Sequence, residues 1–165
     1  MIKHLIFGIF AASSAAAQDL TWTPDATEAC LEEGEDQAAL EACIGASADI
    51  CIDTRNGSTT VGMGFCLSRE LDFWDARLNA AYQSLMATEK ALMEEMADIN
   101  ANVPDTAAAL RDMQRAWIPW RDAACAYEYS TWGGGTGGGP ANAACLMQIT
   151  GRQALSLERR VSDTQ

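Results

Sequence analysis

Six cysteines, Cys30, Cys43, Cys51, Cys66, Cys125 and Cys145, constrain this chain more than any other feature. An even number in a small exported chain reads as a set of disulfides, and each bond dictates which segments lie side by side. Six cysteines permit fifteen pairings, and sequence alone does not choose among them. Local geometry favours Cys30 with Cys43, Cys51 with Cys66 and Cys125 with Cys145. A cysteine metal site is the rival reading, but no pair has the CxxC spacing of a zinc site. The first residues indicate the compartment. Lys3 and His4 precede an apolar run from Leu5 to Ala12, and Ala15, Ala16 and Ala17 offer small residues for cleavage. Residues 1–17 therefore read as a secretory signal peptide. The run is too short to span a bilayer, and no cysteine adjoins the cleavage point. The expectation is a periplasmic or secreted protein with no membrane span and no lipid anchor.

The 165 residues, 48% of them hydrophobic, suit a single domain with a real core. Net charge is −12, and one unit more negative once Lys3 is removed. Phosphate binding needs a basic surface, so a nucleic-acid partner is disfavoured and a basic protein partner favoured. Acidity also keeps an exported protein soluble, which is its plainer meaning.

Read in order, Thr23-Pro24-Asp25 has the residues of a helix start, and a short helix carrying Cys30 follows. Gly34 to Asp36 punctuates. Gln37 to Ile52 reads as a second helix with Leu40, Cys43, Ile44 and Ala48 on one side. A tight turn makes these two helices an antiparallel hairpin, with Cys30 near Cys43. Asp53 to Gly64 is loop. From Gly64 to Ile99, Leu67, Leu71, Trp74, Leu78, Tyr82, Leu85, Leu92 and Met96 recur at helical steps, which predicts one long helix. Pro104 then opens a partner helix from Asp105 to Glu128, with Pro119 inside it as a kink point. Its stripe of Leu110, Met113, Trp117, Trp120 and Ala124 is expected to be buried, and Trp74, Trp117 and Trp120 are expected in the core. A last helix spans Ala141 to Arg160 with Leu146, Ile149, Leu155 and Leu157. The fold class is all-α: a small disulfide-stabilised helical bundle with two long antiparallel helices, a short N-terminal helical hairpin and a glycine-rich loop.

His4 leaves with the signal peptide, so the mature chain has no histidine and only one lysine, Lys90. Histidine-dependent nucleophiles, relays and metal sites are excluded, and paired cysteines leave no thiolate. No catalytic residue, metal or other cofactor is therefore assigned. The remaining enzymatic option is a carboxylate pair acting on a glycosidic bond. Glu70 and Asp75 are the acids nearest the stripe of the long helix, and Arg115 and Arg121 lie on or beside the facing one. Their simplest reading is structural, as ion pairs across the helix interface extended by Asn79 and Gln114.

The run Gly133, Gly134, Gly135, Thr136, Gly137, Gly138 and Gly139 is not a phosphate loop, because no Lys-Ser/Thr follows it and no strand precedes it. It reads either as a linker or as a recognition loop between Trp132 and Pro140. A disulfide across its ends would lower the entropy lost on binding. Glu128, Trp132 and the glycine run are the candidate partner-binding residues.

Cys66-x-x-x-Glu70-x-x-x-Trp74-Asp75-x-x-Leu78-Asn79-x-x-Tyr82 is followed by Gln114-Arg115-x-Trp117-x-x-x-Arg121-Asp122-x-x-Cys125 and then Cys145. This pattern resembles the LprI-type lysozyme inhibitor family over roughly Cys66 to Leu157. The resemblance implies an exported, disulfide-containing helical domain at residues 65–165, packed as one unit with the Cys-containing hairpin and loop of residues 18–64. It implies a non-enzymatic inhibitor of a lysozyme or related cell-wall hydrolase; a periplasmic interaction module with another envelope partner is the alternative. Lysozymes are typically basic, so charge steering would favour such an encounter.

Overall fold

The computed structural model describes residues 20–164, so the expected signal peptide lies outside the described residues. Six helices make up the described residues: α1 (Asp25–Glu33), α2 (Gln37–Ala42), α3 (Ala46–Ile52), α4 (Thr60–Asp98), α5 (Thr106–Ser130) and α6 (Gly138–Asp163). The fold is all-helical, and its three disulfides are Cys30–Cys43, Cys51–Cys66 and Cys125–Cys145, as local geometry suggested. Polar side chains cap three of the helices. Asp36 accepts from the Ala39 amide, Thr59 from that of Gly62 and Asp105 from that of Ala108. Thr23 does not cap α1; the N-cap is Pro24. Pro119 lies inside α5 without ending it.

The expected helix from Gln37 to Ile52 is two helices, broken where Gly45 adopts φ 111°. That left-handed conformation suits glycine and turns the chain so that a second N-terminus opens at α3. Glu70 of α4 occupies this N-terminus. Its carboxylate is fully buried. Oε1 accepts from the Gly45 amide at 2.7 Å, the Thr27 hydroxyl at 2.8 Å and the Trp74 indole N–H at 3.2 Å. Oε2 accepts from the Ala48 amide at 2.5 Å. All four partners donate, the set that an acceptor-only carboxylate requires. Thr27 and Ser47 add a reciprocal pair at 3.0 Å, each amide donating to the other's hydroxyl oxygen. One acid thus joins α1, the start of α3 and α4.

The three long helices run up, down and up. Glu89 receives a hydrogen bond from Thr106, the Cys125–Cys145 bond ties α5 to α6, and Arg77 of α4 holds Glu158 of α6 through two contacts of 2.9 Å. The principal partner of α4 is α6, with α5 packed mainly on α6 and touching α4 less. Two long antiparallel helices were expected; three long helices form, and the last one closes the core. That core comprises Leu67, Trp74, Leu78 and Leu85 of α4 against Met147, Ala154, Leu155 and Leu157 of α6, with Ile44 and Ala48 from the N-terminal helices. The α4 stripe runs past its cover: Leu92 is exposed and Met96 only half-buried.

Two glycines of α4 differ in what surrounds them. A Cβ on Gly62 would lie 2.0 Å from the Asn56 carbonyl oxygen and 2.7 Å from the Gly57 Cα, so the preceding loop sits directly on the helix backbone. At Gly64 nothing lies within 4 Å. Gly62→Ala should therefore destabilise the protein by about 1–3 kcal/mol, since the clash is with backbone. Gly64→Ala should stabilise it by up to about 1 kcal/mol through helix propensity. Glu70→Gln should lose about 3 kcal/mol, because its amide nitrogen faces backbone or side-chain donors and leaves at least one buried group unpaired. Urea unfolding of the oxidised protein measures all three.

Candidate functional site

The polar residues named from sequence do not form one layer. Glu70 is sealed among the donors described above and meets no arginine. Asp75 and Asn79 lie on the exposed side of α4, where Asn79 donates to Asp75 at 3.0 Å. Arg115 is exposed on α5. Gln114 is buried and accepts from Gln153 of α6 at 3.2 Å. Arg121 bonds its neighbour Asp122 at 2.8 Å and reaches Thr150 at 3.4 Å, with its guanidinium 5.0 Å over the Trp117 ring. The expected ion pairs across the α4–α5 interface are absent among the described residues. The reason is that α5 turns the buried side around Leu110, Gln114 and Cys125 toward α6. The interhelical ion pairs that do form are Arg77 with Glu158 and Arg152 with Glu41, residues that sequence spacing assigned no partner. Arg77 also lies 5.6 Å over both Phe73 and Trp74.

The glycine run is a built turn and not a slack linker. Gly133 and Gly134 adopt φ 57° and 84°, conformations that favour glycine. The amides of Gly133, Gly135 and Gly138 donate to the carbonyls of Ser130, Trp132 and Gly135. Gly138 and Gly139 already belong to α6, so the loop ends earlier than expected. A Cβ on Gly137 would lie 2.3 Å from the Trp132 ring, which therefore folds back over the loop. Gly138 likewise admits the Tyr129 ring, 3.2 Å from where a Cβ would stand. Glu128 and Thr136 are exposed, and Trp132 keeps 49% of its surface open.

The largest departure from expectation lies on α5 itself. Trp74 is in the core, but Trp117 is half-buried and Trp120 is 59% exposed; Trp22, near the N-terminus, packs against Phe73 instead. Met113, Trp117, Trp120, Ala124 and Tyr127 recur at three- and four-residue steps and share one face. Met113 is 40% and Tyr127 73% exposed. The side that packs inward is marked by Leu110, Gln114 and Cys125, with Trp117 at its edge against the core. Sequence periodicity identified this stripe but assigned it to the core.

A furrow follows the seam between α5 and α6. One hollow of about 250 Å³ is lined by Trp117, Trp120, Ile149, Arg152 and Gln153. A second, of about 370 Å³, opens beyond Gln153 between Met113, Leu110, Leu85, Leu157 and Arg160. Both are lined mainly by apolar and aliphatic groups and suit contact with another surface better than bond-making chemistry. Among the described residues no group of three or more His, Cys, Asp or Glu side chains could hold a metal ion. Among them, too, no helix is long and apolar enough to cross a membrane.

The chain is similar to an uncharacterised protein of Rhizobium meliloti (strain 1021), 28% identical over 106 residues that cover 64% of this chain and 76% of that protein. It is also similar to an uncharacterised 17.7 kDa protein in the puhA 5′ region of Rhodobacter capsulatus, 24% identical over 133 residues, covering 80% of this chain and 82% of that protein. No solved structure gives a significant match. The family model described as lysozyme inhibitor LprI matches residues 51–157, from the cysteine that pairs with Cys66 to the core leucine Leu157. The match spans α4, α5, α6 and the disulfides Cys51–Cys66 and Cys125–Cys145, and on it the chain belongs to the LprI lysozyme inhibitor family.

Proposed function

We propose that this protein is an exported, non-enzymatic binder that inhibits a lysozyme or related cell-wall hydrolase. Membership of the LprI family carries the reading, over a match that includes the whole long-helix core. Charge supports it in a particular way. From Leu20 to Thr54 the chain has nine acidic residues and no lysine or arginine; from Arg55 onward thirteen acids face ten bases. The excess negative charge is thus concentrated in the N-terminal helices, where it can steer a basic enzyme toward one end of the molecule.

The arrangement of carboxylates speaks against a glycan-cleaving enzyme. Such chemistry needs two acids facing a substrate cleft. Glu70 is fully buried under four donors, while Asp75 stands on the outer side of the same helix. The segment from Glu128 to Cys145 contributes exposed Glu128, one side of Trp132 and the rigid glycine turn to the proposed contact. The same family reading and the expected signal peptide support a periplasmic or secreted location.

The decisive assay is peptidoglycan lysis by a basic lysozyme at physiological salt, with the oxidised protein and beside an unrelated protein of similar acidity. The expected result is saturable inhibition by this protein alone. Exposed charges are screened over about 8 Å under these conditions, so equal inhibition by both acidic proteins, or by neither, would overturn the reading.

A further inference from the structure

The acidic N-terminal helices border a groove. Where α1 and α2 meet the last turns of α6, two hollows of about 410 and 510 Å³ share Leu31 and Arg77 in their linings. The floor is aliphatic: Leu31 and Leu40 are half-buried and Leu155 is buried. The rim is anionic. Glu28, Glu32, Glu35 and Asp36 line it, and all four are exposed. The bases facing it are Arg77 and Arg159. Two contacts of 2.9 Å to Glu158 neutralise Arg77 within the protein, which leaves Arg159 alone against the four rim carboxylates. No residue from Leu20 to Thr54 is a lysine or arginine, so α1 and α2 bring no base of their own. The walls are also fixed. The Cys30–Cys43 bond ties α1 to the end of α2, Gln148 of α6 donates to the Ile44 carbonyl just beyond α2 at 2.8 Å, and the Arg77–Glu158 pair joins α4 to α6. A surface ordered beforehand loses less on binding than a mobile one.

We propose that this groove seats a lysine or arginine side chain of the basic hydrolase, so that the acidic helices supply a contact as well as steering; the proposal rests on the hydrolase-inhibitor reading above. Such a side chain matches both parts of the groove. Its methylene stem lies along leucine while its charged head stays among carboxylates and water. Arginine gains a further fit, because its planar fork takes a carboxylate through two hydrogen bonds, the geometry that Arg77 already shows with Glu158 in the groove wall. Local charge selects this occupant. An acidic segment would be set against four rim carboxylates with one unpaired arginine to offset them, and like charges brought together are unfavourable. A second copy of this chain, at net charge −12, meets the same repulsion.

The test is titration calorimetry of the oxidised protein with a basic c-type lysozyme at physiological salt, on the wild type and on two double variants of equal charge. Glu32→Gln with Glu35→Gln removes one carboxylate from each hollow. Glu94→Gln with Glu95→Gln removes two exposed carboxylates about 25 Å further along α4 from Arg77. Circular dichroism checks that both stay folded, as expected for exposed positions. The groove variant should weaken binding by about tenfold or more, and the α4 variant by less than about threefold. Equal weakening by both would reduce the effect to overall charge and overturn the groove while sparing the inhibitor reading. Tight wild-type binding that the groove variant leaves unchanged would do the same. No wild-type binding would overturn both. Sedimentation that finds a dimer abolished by the groove variant would assign the groove to a second copy and overturn the choice of a basic partner.

Discussion

A single buried carboxylate joins α1 and the start of α3 to α4, beside the Cys51–Cys66 bond. Without Glu70, the amides of Gly45 and Ala48 at the start of α3 would lack a partner, because Gly45 brings no side chain to cap them. Helix ends buried without partners are costly, so a capping acid from another helix substitutes for a local one. The same oxygens accept from Thr27 on α1 and from Trp74 in the core, so one side chain is shared by α1, α3 and α4. The helix dipole of α3 and the carboxylate also attract each other. Charge burial of this kind works without a cation when every neighbour is a donor.

Much of the architecture was legible because it depends on local rules. The three disulfides join cysteines that short connectors bring together, and the long helices announce themselves by three- and four-residue steps. The acid Glu70 was legible as important but not in its role. Three of its four donors lie outside its own helix and two are backbone amides, which no side-chain pattern displays. Periodicity on α5 likewise revealed an apolar face without saying whether anything covers it. Met113, Trp117 and Trp120 look alike in sequence to the buried stripe of α4, and only the placement of α6 separates the two. The break at Gly45 was hidden by apolar residues on both sides, since a positive φ leaves no mark beyond the glycine itself.

The surface divides labour along the chain. The acidic excess is gathered in the helices before Arg55, and the aromatic surface lies on α5, with Arg152 and Glu41 at their junction. Excess negative charge and exposed aromatic surface are thus carried by different parts of the fold.

The disulfides have a consequence for biogenesis. The cysteines pair in order, first with second, third with fourth and fifth with sixth, at separations of 13, 15 and 20 residues, so no bond encloses another and none interlaces. In a chain that enters an oxidising compartment N-terminus first, every cysteine meets its native partner before the cysteine after that has emerged. Order of arrival alone then favours the pairing that the folded protein has.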